Sequence, residues 1–161
     1  MEKNNFDEAT KCYNTAMDCY KRANATNHPD IASWYHGIAR IHYAKKEYSD
    51  ALNYYQRSLI IQEQRLASNH PDMALNHSGI GDVYRIVGQY ELAMSHYKKS
   101  LEIRIKSLPP QHPDIAANNK QIGVLYETVK NWKEALEYYK RAATIYRLSL
   151  PPQDSNVVEI E

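Results

Sequence analysis

Apolar and small residues recur along this chain in two alternating helical patterns. The first runs aromatic, then Ala three residues on, Tyr four further, and a small residue three beyond that. It is spelled Phe6, Ala9, Tyr13 and Ala16, then Tyr48, Ala51, Tyr55 and Ser58, then Tyr90, Ala93, Tyr97 and Ser100, and last Trp132, Ala135, Tyr139 and Ala142. Positions i, i+3, i+7 and i+10 share one helix face. The second pattern runs Ile31, Tyr35, Ile38, Ala39 and His42, returns as Met73, His77, Ile80, Gly81 and Tyr84, and returns again as Ile115, Asn119, Ile122, Gly123 and Tyr126. Its spacing of i, i+4, i+7, i+8 and i+11 is also helical. Every column steps by 42 residues. A fixed period in this range marks stacked copies of one supersecondary unit, each burying its apolar face on its neighbours.

The punctuation has the same period. His-Pro-Asp stands at 28–30, 70–72 and 112–114. Proline suits a first helical turn, where its missing N–H would be unpaired anyway. The aspartate meets the positive end of the helix dipole, and the histidine falls at the N-cap. The unit predicted is helix A (near 29–44, 71–86 and 113–128), a tight turn, and helix B (near 48–67, 90–108 and 132–150). The turns read Lys45-Lys46-Glu47, Val87-Gly88-Gln89 and Val129-Lys130-Asn131, with Gly88 the left-handed cap and Lys46 or Lys130 in its place. Such short connections make A and B antiparallel. Leu108-Pro109-Pro110 and Leu150-Pro151-Pro152 end helix B. Residues 6–27 read as a lone helix B, a half unit. Full repeats follow at 28–69, 70–111 and 112–153, and 154–161 starts a further helix, all within one array over 1–161. Ala39, Gly81 and Gly123 are expected to face Ala51, Ala93 and Ala135, small against small.

Composition narrows the function classes. The chain has 161 residues and a formal charge of +1, so its overall electrostatics call for no nucleic acid. Cys12 and Cys19 on one helix would be too far apart for a disulfide, which suits a reduced, cytoplasmic setting. No apolar run is long enough to span a membrane, and the first residues do not open a signal peptide. There are 14 tyrosines and one phenylalanine. Their regular columns place them in helix packing rather than on a base-stacking surface.

These columns resemble the tetratricopeptide repeat, with its small and aromatic positions on both helices. Ile80, Gly81 and Tyr84, with Ala93, Tyr97 and Ser100, carry the likeness best. The usual period is 34; the 42-residue period and the Leu-Pro-Pro-Gln-His-Pro-Asp connector (108–114) resemble the kinesin-light-chain type. The resemblance implies an all-α, right-handed superhelical solenoid of antiparallel helix pairs, with helices A lining a concave groove that holds a partner peptide. Light-chain-like repeats often carry an Asn-Asn pair there. The matching positions here are His36-Gly37, Ser78-Gly79 and Lys120-Gln121, so the pair is absent.

The candidate chemistry is that of a binding surface. By the alignment, the groove takes Ser33, His36, Arg40 and Tyr43 from the first full unit. The second offers Leu75, Ser78, Asp82 and Arg85, and the third Lys120, Gln121, Val124 and Glu127. Arg40 and Arg85 are the expected carboxylate partners, since a guanidinium binds a carboxylate through two parallel bonds. The repeated histidines lie a helix-pair layer apart and cannot converge on a metal. His42 reads as a packed histidine. No catalytic set, cofactor loop or metal motif is spelled, so no enzyme activity and no cofactor are expected. Lys98, Lys99, Arg104, Lys106, Lys140 and Arg141 read as a solvated outer face of helix B. Glu102–Lys106 and Glu137–Arg141 read as i,i+4 ion pairs. The expected partner is a protein or peptide, with no nucleic acid and no membrane. The second expectation is end-to-end self-association, because the half unit and the terminal stub lack polar caps.

Overall fold

In a computed structural model of the chain, the described residues are 29–67, 69–151 and 154–158, with positions 8, 11–13, 15, 18, 19 and 22, all eight of which are helical. Most of the half unit at 6–27, and His28, lie outside the described residues. The elements are α1 (Pro29–Ala44), α2 (Tyr48–Arg65), α3 (Pro71–Ile86), α4 (Tyr90–Ser107), α5 (Pro113–Thr128), α6 (Trp132–Ser149) and α7 (Ser155–Val158). Helices A therefore start at 29, 71 and 113 and helices B at 48, 90 and 132, keeping the predicted 42-residue step. No strand occurs among the described residues.

Local chemistry sets each boundary. His70 Nδ1 accepts the Asp72 amide at 3.3 Å, and His112 Nδ1 accepts that of Asp114 at 3.2 Å. The imidazole thus does at the N-cap what a Ser or Asp oxygen usually does. The three A–B turns are alike. Glu47, Gln89 and Asn131 donate back to the carbonyls of His42, Tyr84 and Tyr126 at 2.9, 2.8 and 2.9 Å. Lys46, Gly88 and Lys130 have φ of 64°, 81° and 61°. This is the Schellman arrangement, whose C′ residue must be left-handed. Helices B end on Leu66, Leu108 and Leu150, each extended, and at 108 and 150 the following proline excludes the helical region.

The chain divides into two compact units, Met1–Ser68 and Asn69–Glu161. In the first, α1 and α2 pack through Ile31, Ala32 and Ile61, with Tyr35 against them. The Ser58 hydroxyl donates to the Ala32 carbonyl at 2.6 Å. The Trp34 indole donates to the Tyr13 carbonyl, and the Tyr13 ring lies against Gly37. His42 stacks on Tyr54 at 5.1 Å, as a packed histidine should, and meets Glu47 at 2.6 Å.

The second unit holds two hairpins and α7. Ser100 repeats the tie of Ser58, donating to the Ala74 carbonyl at 2.8 Å. Ala93, Tyr97, Ile122 and Leu125 form a core where α4 meets α5, with Tyr90 and Met94 at its edge. Ala116, Ala142 and Tyr146 form another between α5 and α6. Ala51, Ala93 and Ala135 are all buried, as their shared column requires. Beside the glycines of helix A in this unit the nearest side chain is a tyrosine. A Cβ on Gly81 would sit 2.6 Å from the Tyr97 ring, and one on Gly123 2.8 Å from the Tyr139 ring. The glycines make room for the tyrosine of their own hairpin. Two surface expectations also change. Glu102–Lys106 pairs at 2.6 Å, but Glu137 pairs with Lys140 at 3.4 Å, while Arg141 lies 4.9 Å over the Tyr138 ring. A guanidinium prefers that aromatic face when one is within reach.

His77 and His96 join α3 to α4. Their Nδ1 atoms are 3.0 Å apart, and His77 is only 2% exposed. Burial, then His96 and Lys99, push the His77 pKa from 6.5 down to about 4, and burial and Lys99 also lower that of His96. The unfolded chain then binds protons that the folded one refuses. Stability is full above about pH 6.5 and falls as pH drops towards 4, by on the order of 3 kcal/mol for His77 alone. A denaturant series across this range should show that slope. It should flatten in His77→Asn, since Asn119 occupies the same column and is buried. At Gly88 an added side chain would meet nothing within 4 Å, so only backbone conformation is at stake. Gly88→Lys should cost under about 1 kcal/mol and Gly88→Val about 2 kcal/mol, read from urea midpoints.

Candidate peptide groove

The helix A residues singled out by spacing fall into two groups. In the first unit Ser33 and Arg40 are exposed along α1. His36 and Tyr43 are half-buried: the His36 ring is 5.5 Å from that of Tyr55, and Tyr43 is 6.0 Å from Tyr48. In the second unit Asp82, Arg85, Lys120, Gln121 and Val124 line one cavity of about 330 Å³. Leu75 is exposed and away from that wall, whereas Ser78 is buried with its hydroxyl 2.8 Å from that of Ser100. Glu127 is exposed and accepts the Tyr139 hydroxyl at 2.5 Å. Burial, then that carboxylate, raise the Tyr139 pKa, so the phenol keeps its proton as donor.

Asp82 organises the cavity wall. Tyr97 OH donates to it at 2.6 Å and the Gln121 amide at 3.2 and 3.3 Å. Burial raises its pKa, against the pull of these donors and of Arg85 and Arg104. Burial likewise raises the Tyr97 pKa, so its hydroxyl remains the donor. The bonded pair fixes the polarity of the wall and leaves an opening with both charge signs and aromatic sides.

Spacing alone missed the helix B contribution. Tyr97 and Arg104 from α4 and Tyr146 from α6 line the same cavity, as does Asn156 from α7. Arg104 had been expected on a solvated outer face, yet it is 5% exposed. It donates to the Asp114 carbonyl at 3.0 Å and to Asn118 Oδ1 at 3.2 Å, and Asn118 in turn donates to the Tyr97 carbonyl. The reason is helical phase. Residue 104 follows buried Ser100 by four, on the same face, and its column-mates Gln62 and Tyr146 are buried too. Extending the buried face of helix B by one turn finds all three. In the first unit, His42, Glu47 and Asp50 bring one ligand atom each within 4.8 Å of one another. The two carboxylates are exposed, and the His42–Glu47 contact fastens the α1–α2 turn. Cys12 and Cys19 are free and exposed, and no helix among the described residues is long and apolar enough to cross a membrane.

A chain of antiparallel helix pairs at fixed period, with polar residues of helices A meeting at a cavity, defines the class: a helical-repeat protein. The tetratricopeptide-repeat family model matches residues 1–64 and 65–147, and the chain belongs to that family. Comparison with curated protein sequences gives no match. Among solved structures, the chain is similar to BtubC (BKLC) from P. vanneervenii, with a TM-score of 0.82 at 17% identity over 99% of this chain and 66% of that one. It is similar to a Podosopora anserina protein described as a kinesin light chain with nearly identical TPR-like repeats, at 0.78 and 19% over 99% and 75%. The apo form of RapI gives 0.82 and 20% over 99% and 55%. At such identities the likeness concerns the fold, which is the tetratricopeptide-repeat solenoid of kinesin-light-chain-like repeats.

Proposed function

We propose that the chain is a non-catalytic protein-interaction module. Residues 1–161 form one array, with a half unit at 6–27, full repeats at 28–69, 70–111 and 112–153, and a further helix begun at 154–161. It holds an extended peptide from a partner protein against its helices A, in a cytoplasmic setting and as a scaffold. The observation that carries this reading is the cavity of about 330 Å³ to which α3 and α5 contribute acidic, basic, amide and aliphatic side chains together. A few placed polar groups in a concave, partly apolar site are what ligand recognition requires. Arg40 and Arg85 supply the cations for acidic residues of the peptide. Peptides selected from a random display library on the intact chain should lose affinity roughly tenfold or more in Arg40→Glu/Arg85→Glu with circular dichroism unchanged. Undiminished binding would remove both arginines from the groove.

A second reading rests on α6. Trp132 and Leu136 are 62% and 53% exposed, whereas their column-mates Tyr90 and Met94 pack against the α4–α5 core. That surface is built to be covered, and a second copy of the chain would cover it end to end. Light scattering from micromolar to millimolar should then show a dimer that Trp132→Glu abolishes; a monomer throughout excludes it.

A further inference from the structure

His77 and His96 form a contact with room for one proton between its two nitrogens. Their Nδ1 atoms lie 3.0 Å apart and their ring centroids 5.2 Å apart, with His77 on α3 only 2% exposed. A neutral imidazole donates through one nitrogen and accepts through the other, so one ring donates here and its partner accepts. A second proton would set N–H against N–H and place charge where water does not reach. The other His77 nitrogen, Nε2, is buried with no hydrogen-bond partner among the described residues, so no bond on that side holds the ring once the first is lost. The charged group acting on both rings is Lys99 of α4, a further cation, and the Tyr84 ring of α3 lies 5.6 Å from that of His96.

The fold does not require histidine at either place. The same columns hold Tyr35 and Tyr54 in α1–α2, 5.9 Å apart, and Asn119 and Tyr138 in α5–α6. Of the three hairpins, α3–α4 therefore carries the pair that titrates in the imidazole range. The pair also sits beside the bonds that close this hairpin over the cavity. His96 precedes Tyr97, whose ring covers Gly81 and whose hydroxyl donates to Asp82. His77 precedes Ser78, whose hydroxyl meets that of Ser100. Parting α3 from α4 at the histidines pulls on both bonds.

We propose that the His77–His96 contact is an acid-released latch, which holds α3 against α4 while one proton lies between the rings and lets that hairpin open ahead of α5–α6 once a second arrives. The cavity wall at Asp82 and Tyr97 opens with it whatever the cavity holds, so the latch does not depend on the groove reading. Burial, His96 and Lys99 lower the His77 pKa from 6.5 to about 4 in the closed hairpin. The open form then binds the proton that the closed form refuses, and its share rises as pH falls. Between pH 7.5 and 5 the rise is about thirtyfold from His77 alone.

Amide hydrogen exchange in the intact chain, corrected at each pH for the intrinsic rate, tests this. The ratio of protection at Ile80–Val83 to that at Ile122–Leu125, the same columns of α5, should fall about thirtyfold between pH 7.5 and 5. In His77→Asn, which copies Asn119, the ratio should stay level. In His96→Tyr, which copies Tyr54 and Tyr138, it should fall less than in the parent chain, and this variant keeps the test open if the first loses helicity. Equal loss of protection in both hairpins would make the acid effect one cooperative unfolding and overturn the latch. So would a level ratio in the parent chain, or an undiminished fall in either variant.

Discussion

The contact on which the rest depends is a tyrosine ring laid over a glycine. Tyr97 covers Gly81 and Tyr139 covers Gly123, at separations that leave no room for a Cβ. An aromatic side chain at that place lets helix B approach helix A closely while still presenting a hydroxyl to the edge of the hairpin. Those hydroxyls are engaged, by Asp82 and Glu127 on the facing helix A. One residue type thus does two things: its ring sets the spacing within the hairpin, and its oxygen orients a carboxylate on helix A. This accounts for tyrosine rather than phenylalanine at 97 and 139.

The second layer of order is polar and buried. Ser58 and Ser100 fasten α2 and α4 to carbonyls of α1 and α3, and Arg104 with Asn118 fastens α4 to α5. These bonds sit where an apolar side chain would also fill space. They add direction, because a hydrogen bond is satisfied at one rotation of the helix and not at its neighbours. The cavity in the second unit lies where the polar end of α4 comes up behind half-buried residues of α3 and α5.

Much of the cavity wall was visible in spacing. Asp82, Arg85, Lys120, Gln121 and Val124 were reached by stepping the helix A pattern, and they line the cavity. Ser78 was reached by the same step, but its hydroxyl turns inward to Ser100, because both residues are small enough for the two helices to close over them. Arg104 was missed because a charged side chain beside two lysines reads as solvent-facing until its phase against Ser100 is followed for one more turn.

By itself the sequence determined the class, the period and nearly every boundary. Those follow from local rules: helical spacing of apolar columns, histidine and proline at the N-caps, and left-handed residues at the turns. Only the tertiary structure decided which ring covers which glycine, where the arginine at 104 goes, and which polar residues meet around one space. Those outcomes depend on distances between separate helices, and a one-dimensional pattern carries the face of each helix but not the rotation and depth at which two faces meet.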